Sequence, residues 1–272
     1  MNERMNERVR VEREDALVTV VLNRADKHNA MDVPMLRAVI AAQKQVARLQ
    51  GVRAVLIRGD GPSFCSGLDI KSVLGRPAQV AMTLYPQLWL PWRNIFQRWS
   101  MGWRELGVPV LAAVHGNCFG AGLQLALGAD LRFCRADAKL SLMESRWGLI
   151  PDMGGAALLR ELMPIDKAKA LTMTGRILDG SQALACGLVS ELADDPQAAA
   201  RHFAEQVASR SPDAIAAGKR LLQRAYDGGE AQALSAERRW QRRLLGSRNQ
   251  RIAVERGRGK TETPYIDRAP GD

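Results

Sequence analysis

The chain has 272 residues, a mass of 29.9 kDa, 46% hydrophobic and 25% charged residues, and a formal net charge of +10 at pH 7. These values are typical of a globular protein with one sizeable core, and they exclude a disordered, collagenous or coiled-coil chain. Because no apolar run approaches the roughly 20 residues that cross a bilayer, and residues 1–10 are polar rather than signal-like, we expect a cytoplasmic protein.

Strands alternate with helices through the first half of the chain. Residues 8–14, 16–22, 53–58, 109–114 and 131–134 are predicted strands, and helices are predicted from residue 33, over 79–106 and over 120–129. This alternation favours an α/β core. Residues 1–8, which repeat MNER, are predicted to be a disordered start.

The second half is almost wholly helical in pattern, which predicts that the sheet has ended by Gly154. Asp195 and Ser211 each precede a proline, as at a capped helix start. We therefore expect a core over residues 9–195, a helical region over 196–260 and a tail over 261–272.

Cysteine and histidine give little support for a metal site. The four cysteines contain no C-x-x-C pair, and none of the three histidines has metal-ligand spacing. We expect reduced, partly buried thiols and no bound metal.

The positive charge is concentrated in residues 237–260, which contain nine Lys or Arg and two Glu. A solvated helix face, a subunit contact or binding to a ligand's phosphates would each explain it. Nucleic-acid binding is the less favoured alternative, because Trp240 alone could offer a stacking surface among these charges.

Two glycine-bearing turns, residues 59–70 and 115–124, each follow a predicted buried strand and enter a helix. A helix start leaves backbone N–H groups without intrahelical partners, and two such amides that converge would hold an oxyanion. Neither turn has the dinucleotide or Walker A pattern, and each turn alone has a structural explanation.

A third segment, residues 144–155, contains two carboxylates in an apolar loop. Burial there would raise the pKa values of Glu144 and Asp152 toward the range of acid–base catalysis, although a structural Glu144–Arg146 pair is the alternative. Neither Ser66 nor Cys65 has a histidine at catalytic spacing.

Taken together, the runs 21–30, 64–69, 109–125 and 148–155 closely resemble the crotonase, or enoyl-CoA hydratase/isomerase, superfamily in order and spacing. The resemblance covers residues 9–258. It implies an α/β fold, a crotonase-like spiral of ββα repeats with a helical C-terminal trimerisation region. It also implies a homotrimer or a dimer of trimers that acts on an acyl-CoA substrate.

The resemblance assigns roles to residues of both turns. The amides of Leu68 and Ala121 would form the oxyanion hole for the thioester oxygen. Main-chain atoms around Ser66 and Leu68 would contact the adenine of coenzyme A, and basic side chains would approach its phosphates: Lys27, Lys71 and Arg256. Coenzyme A is part of the substrate, so no separate cofactor is expected.

The acid–base residues depart from the family's hydratase pattern. Glu144 occupies one of the two glutamate positions, whereas Gln124 occupies the other, and an amide cannot exchange a proton near neutral pH. Asp152 stands where the family's dienoyl-CoA isomerases and some of its hydrolases carry an acid.

Hydration and double-bond isomerisation therefore both stay open, with Glu144, Asp152 and Gln124 as the candidate catalytic residues. Thioester hydrolysis is an alternative, and a non-catalytic homologue that binds coenzyme A or RNA is the alternative of another class. The tryptophans of residues 79–106 would pack in the core or between subunits, or shape an acyl pocket. We expect no nucleic-acid or membrane partner.

Overall fold

A computed structural model describes residues 8–75, 82 and 85–268. Its main sheet has six strands in the order β1-β2-β3-β4-β6-β9, and β1 is antiparallel to β2 while the other pairs are parallel. A second sheet has the order β5-β7-β8. The strands are β1 Val9–Glu14, β2 Leu17–Leu22, β3 Ala54–Gly59, β4 Val110–Val114, β5 Asn117–Phe119, β6 Leu131–Cys134, β7 Lys139–Ser141, β8 Leu178–Asp179 and β9 Glu191–Leu192.

The α-helices lie around these sheets. They are α1 Val33–Arg48, α2 Ile70–Leu74, α3 Ile95–Met101, α4 Ala121–Leu127, α5 Gly155–Leu162, α6 Ile165–Thr174, α7 Gly180–Ala185, α8 Pro196–Ala208, α9 Pro212–Asp227, α10 Glu230–Leu244 and α11 Arg248–Gly257. Shorter 3-10 helices cover Ala25–Lys27, Tyr85–Trp89, Gly102–Glu105 and Glu144–Trp147. Two strands precede a helix repeatedly, as in β1-β2-α1 and β4-β5-α4.

The main sheet is buried on both faces, which explains the apolar runs in its strands. Val55 and Ile57 of β3 face the large core that includes α1, whereas Ala54 and Leu56 face α8, where Ala200 and its neighbours pack. Helix α8 therefore covers the second face of the sheet, although it follows the predicted core boundary at residue 195.

Two expectations about the order of elements are wrong. The sheet does not end by Gly154, because β8 and β9 follow, and β9 pairs with the edge of β6. The single helix over 79–106 is also wrong for the described part, which has separate helices at Tyr85–Trp89, Ile95–Met101 and Gly102–Glu105. Pro91 disfavours a continuous helix, and an Asn94–Gln97 capping box starts a new one.

The tryptophans of this segment divide into two pairs. Trp99 and Trp103 are fully buried in the core, whereas Trp89 and Trp92 are 75% and 66% exposed. Residues 79–81, 83 and 84 of the predicted helix lie outside the described residues, as do residues 1–7 of the predicted disordered start.

The C-terminal helices are attached to the core through α9. Lys219 of α9 is buried, with its Nζ 2.7 Å from an Asp130 carboxylate oxygen and 2.9 Å from the Val108 carbonyl. Its partner α10 contributes Trp240 to a small separate core. Of the predicted tail, residues 261–268 have no regular secondary structure, and Arg53 donates to the carbonyls of Tyr265 and Ile266.

Candidate active site

The turn after β3 and the turn after β4 lie side by side. The Phe119 amide donates to the Cys65 carbonyl at 3.0 Å, and Cys65 pairs with Cys118 in a parallel bridge. Three residues further along the two turns stand Leu68 and Ala121. The sequence could predict each turn separately, but only the tertiary fold joins them.

The amides of Leu68 and Ala121 donate no hydrogen bond within the described residues. Met31 makes backbone hydrogen bonds to both neighbours of Leu68: its carbonyl accepts from the Asp69 amide, and its amide donates to the Gly67 carbonyl. These bonds use one edge of the strand-like segment and leave the Leu68 amide without a backbone acceptor in the described part of the chain. Ala121 begins α4, so its N–H has no intrahelical acceptor. The Cβ that Gly67 lacks would lie 3.8 Å from the Ala121 nitrogen, so the structure brings the two predicted donors together.

A buried arginine that the sequence analysis missed supports the first turn. Arg24 donates to the Asp69 carboxylate at 2.8 Å and to the Ala30 carbonyl at 3.0 Å, and it lies 3.6 Å from Asp32. These bonds hold the 24–32 turn against the residue that follows Leu68. Arg24 lies within residues 21–30, one of the runs that resemble the family, and this position was the sequence signal that could have identified it.

Glu144 lies beside the start of α4. A Cβ at Gly120 would be 3.5 Å from its Oε1 atom, which accepts a 2.6 Å hydrogen bond from the Gln124 amide nitrogen. Its Oε2 atom is buried and has no hydrogen-bond partner within the described residues. Because an unpaired buried carboxylate oxygen is costly, this atom marks a place where a proton or a substrate group fits. The alternative Glu144–Arg146 ion pair is not formed.

Burial raises the pKa of the Glu144 carboxyl, against the opposing effect of its hydrogen bonds, and the charge of Asp152 adds to the rise. Burial also raises the pKa of Asp152. Asp152 is nonetheless exposed in the single chain. Protein atoms surround its carboxyl closely enough to raise the pKa, but water still reaches it. The two acids therefore differ in access to solvent.

Gln124 connects the two acids. It is 1% exposed, and its Oε1 atom accepts from the Met153 amide at 2.9 Å and from the Gly155 amide at 3.0 Å. Its amide nitrogen holds Glu144. Gln124 therefore fixes both the glutamate and the loop that carries Asp152.

The sequence model of the family described as Enoyl-CoA hydratase/isomerase matches residues 12–262. The chain belongs to this family. EchA17 of Mycobacterium tuberculosis, named a probable enoyl-CoA hydratase, is 32% identical over 228 residues, which cover 83% of this chain and 84% of that protein. The human mitochondrial Delta(3,5)-Delta(2,4)-dienoyl-CoA isomerase is 30% identical over 233 residues, 83% of this chain and 71% of that protein.

The predicted crotonase-like fold is confirmed. The crystal structure of an enoyl-CoA hydratase from Bacillus anthracis superposes with a TM-score of 0.87 at 24% identity, over 95% of this chain and 99% of that one. The mixed sheets followed by C-terminal helices are those that the family resemblance implied.

Besides Leu68, three of the residues that the resemblance places near coenzyme A, Lys27, Ser66 and Lys71, lie at the same end of the sheet. The Ser66 hydroxyl is 3.4 Å from the Lys27 carbonyl, and Lys71 is exposed in the first turn of α2. All three are at the carboxyl end of β3, beside the first turn. A ligand that passes over this turn would meet both lysines.

Arg256 is elsewhere. Its guanidinium lies 5.0 Å from the ring centre of Tyr265, whose carbonyl accepts from Arg53 at 3.5 Å. Arg53 directly precedes β3, so the length of that strand, about 20 Å, separates this region from the glycine turn. Within one chain, the structure does not bring Arg256 to the other predicted residues.

The described part of the chain contains no cluster of three or more His, Cys, Asp or Glu side chains able to hold a metal ion. The four cysteines form no disulfide in the structure, and Cys65, Cys118 and Cys134 are buried. None of the described helices has the length and apolar character to span a bilayer.

Proposed function

We propose that this family member isomerises a carbon–carbon double bond of an acyl-CoA thioester. The thioester oxygen would accept hydrogen bonds from the Leu68 and Ala121 amides, which stabilise the negative charge of an enolate. Glu144 would remove a proton from one carbon and return it to another. The observation that carries the proposal is the unpaired Oε2 of Glu144, buried beside the start of α4.

The raised pKa of Glu144 suits this role. A carboxylate in a poorly solvated site is a stronger base than one in water, and its protonated form can then donate. Isomerisation leaves the composition of the substrate unchanged, since the proton taken from one carbon goes to another. The reaction therefore needs one group that both accepts and donates a proton.

Gln124 favours isomerisation over hydration. Its oxygen already accepts two amide protons and its nitrogen holds Glu144, so it serves as a support rather than a base. The similarity to the human dienoyl-CoA isomerase agrees with this choice.

Hydration is the second candidate, and Asp152 is the observation in its favour. This carboxyl is solvent-exposed, has a raised pKa and is close enough for its charge to raise the pKa of Glu144. It could orient a water molecule while Glu144 protonates the α-carbon. The similarity to EchA17 supports the same alternative.

The test is a panel of enoyl-, dienoyl- and hydroxyacyl-CoA esters, followed by mass spectrometry, ultraviolet absorbance and a free-thiol assay. We expect a product of unchanged mass with a shifted chromophore. A product heavier by one water would support hydration instead, and free thiol would indicate thioester hydrolysis. Absence of turnover across the panel would contradict every enzymatic alternative.

Asp152→Asn separates the two leading candidates in the same assay. Under isomerisation by Glu144 the variant should keep most of its turnover, because the proton acceptor is intact. Under hydration it should lose most of it. Asp166→Asn, on α6, provides a matched control for loss of a carboxylate elsewhere.

A further inference from the structure

Helix α3 contacts both ends of the helix that begins with Ala121. At one end, the Trp99 indole nitrogen donates to the Ala121 carbonyl at 2.8 Å. At the other end, a Cβ at Gly128 would lie 2.4 Å from the Ser100 carbonyl oxygen, so the two backbones are in close contact. Helix α4 therefore cannot shift along α3 without breaking these contacts.

Helix α3 is itself fixed in place. Asn94 and Gln97 form a capping box at its start, and the Gln43 amide of α1 donates to the Arg98 carbonyl at 3.0 Å. Trp99 is completely buried. Its indole N–H is thus a donor held by rigid surroundings.

We infer that Trp99 is a positioning residue for the Ala121 amide. Before Ala121, the Gly120 amide donates to the Ser141 carbonyl at 2.9 Å, and Gly120 adopts φ 49° and ψ −115°. After Ala121, the Trp99 bond fixes the next peptide plane. The Ala121 N–H is therefore oriented from both sides.

This inference rests on the proposed function, because it assumes that the Ala121 amide binds the thioester oxygen. A preorganised donor stabilises developing charge only if its direction is fixed before the reaction. Loss of the indole bond should therefore weaken stabilisation of the transition state more than binding of the substrate.

The chain offers a matched control for the packing role of the ring. Trp103, in the adjoining 3-10 helix Gly102–Glu105, is also completely buried. Its indole nitrogen has no hydrogen-bond partner within the described residues. Trp99→Phe and Trp103→Phe thus remove the same atoms from neighbouring core sites, but only the first breaks a bond to the oxyanion-hole helix.

The experiment compares kcat, KM and thermal unfolding of the two variants on the best substrate of the panel. We expect Trp99→Phe to lower kcat about tenfold, because the largest usual contribution of one buried hydrogen bond corresponds to about a tenfold change in rate. KM should change less than about twofold. Trp103→Phe should keep kcat within about twofold of the parent, with a similar loss of thermal stability.

A spectroscopic readout distinguishes positioning from packing. A conjugated aryl-enoyl-CoA should absorb at longer wavelength when its carbonyl is polarised by the two amides, and this red shift should be smaller in Trp99→Phe than in Trp103→Phe. Equal kcat and equal red shift in the two variants would overturn the inference while leaving the proposed function intact. An unmodified enzyme that neither turns over nor binds the esters would overturn both.

Discussion

The two glycine turns and the C-terminal helices α10 and α11 are held in place by different forces. The turns are joined by backbone hydrogen bonds between buried segments. Helix α10 instead packs chiefly on α9, and its arginines surround one indole, with Arg239 and Arg243 at 5.5 and 5.2 Å from the Trp240 ring centre.

The positive charge and the candidate proton-transfer group are therefore separate features of the molecule, although the sequence alone could have placed both at one site. Most of the net positive charge is in residues 237–260, which carry nine Lys or Arg and two Glu. The candidate proton-transfer group, in contrast, is the half-buried carboxylate of Glu144 beside the start of α4. Catalysis as proposed depends on fixed backbone dipoles and poor solvation. Within one chain, Arg256 of α11 lies near the start of β3, at the end opposite the first glycine turn.

The largest expected effect tests the carboxylate. Glu144→Gln keeps an oxygen to accept from Gln124 but cannot accept a proton, so kcat should fall about 10³-fold. Turnover on the best panel substrate measures this loss. Glu161→Gln, the same exchange on α5, is the control. Retention of activity would show that another group moves the proton.

The same variant also has an expected effect on stability. Because the pKa of Glu144 is raised in the folded protein, its ionisation destabilises the fold as pH rises above the unfolded pKa, and the cost is complete above the folded pKa. Glu144→Gln should therefore melt at higher temperature than the parent at about pH 8, with little difference at about pH 4. Calorimetry at both pH values measures it.

The next effect tests how the C-terminal helices are attached. Lys219→Met should lower the free energy of unfolding by about 2 kcal/mol, because it leaves the Val108 carbonyl unpaired and removes the positive charge beside the partly exposed Asp130, whose carboxylate then keeps, within the described residues, only its bond from the Val110 amide. Urea unfolding measures the loss. Adding Asp130→Asn should recover part of it, and no recovery would mean that the ion pair itself contributes little.

A smaller effect tests the support between the acids. Gln124→Glu would place two carboxyl oxygens at the 2.6 Å contact with Glu144, so they would have to share a proton. The acid side of the pH profile of kcat/KM should then move to higher pH. At pH values below this new limb, kcat/KM should be about tenfold lower than in the parent. Gln241→Glu, exposed on α10, is the control, and an unmoved profile would contradict the shared proton.

The smallest effect compares two basic side chains. Lys27→Ala should raise KM for a CoA ester roughly threefold with kcat unchanged, since an exposed ion pair contributes little. Arg256→Ala should change KM less than about twofold in dilute single chains. If its effect on KM appears only at high protein concentration, a second copy of the chain brings Arg256 to the site.

Local signals predicted most elements closely. The Asp195 carboxylate caps α8 by accepting from the Gln197 amide at 2.9 Å, and the Ser211 hydroxyl caps α9. Caps depend on residues a few positions apart, so they can be predicted from sequence. In contrast, the two-residue strand β9 exists only because β6 offers an edge, which no local pattern reveals.

The candidate site divides in the same way. Motifs and resemblance predicted its five central residues: Glu144, Asp152, Gln124, Leu68 and Ala121. Arg24 and Trp99 were missed as supports, because each acts on a segment distant in sequence through a contact that only folding creates. The resemblance grouped Arg256 with Lys27 as basic side chains near the phosphates of coenzyme A, and the single chain does not bring the two together.

The sequence by itself determined the family, the α/β character and the types of groups available for chemistry, because these follow from composition, periodicity and motifs that act over short spans. Tertiary structure decided which amides face each other, which oxygen of Glu144 is left unpaired and where the basic helices lie. These properties depend on distances between segments that are far apart in the chain, and burial and electrostatics act through those distances.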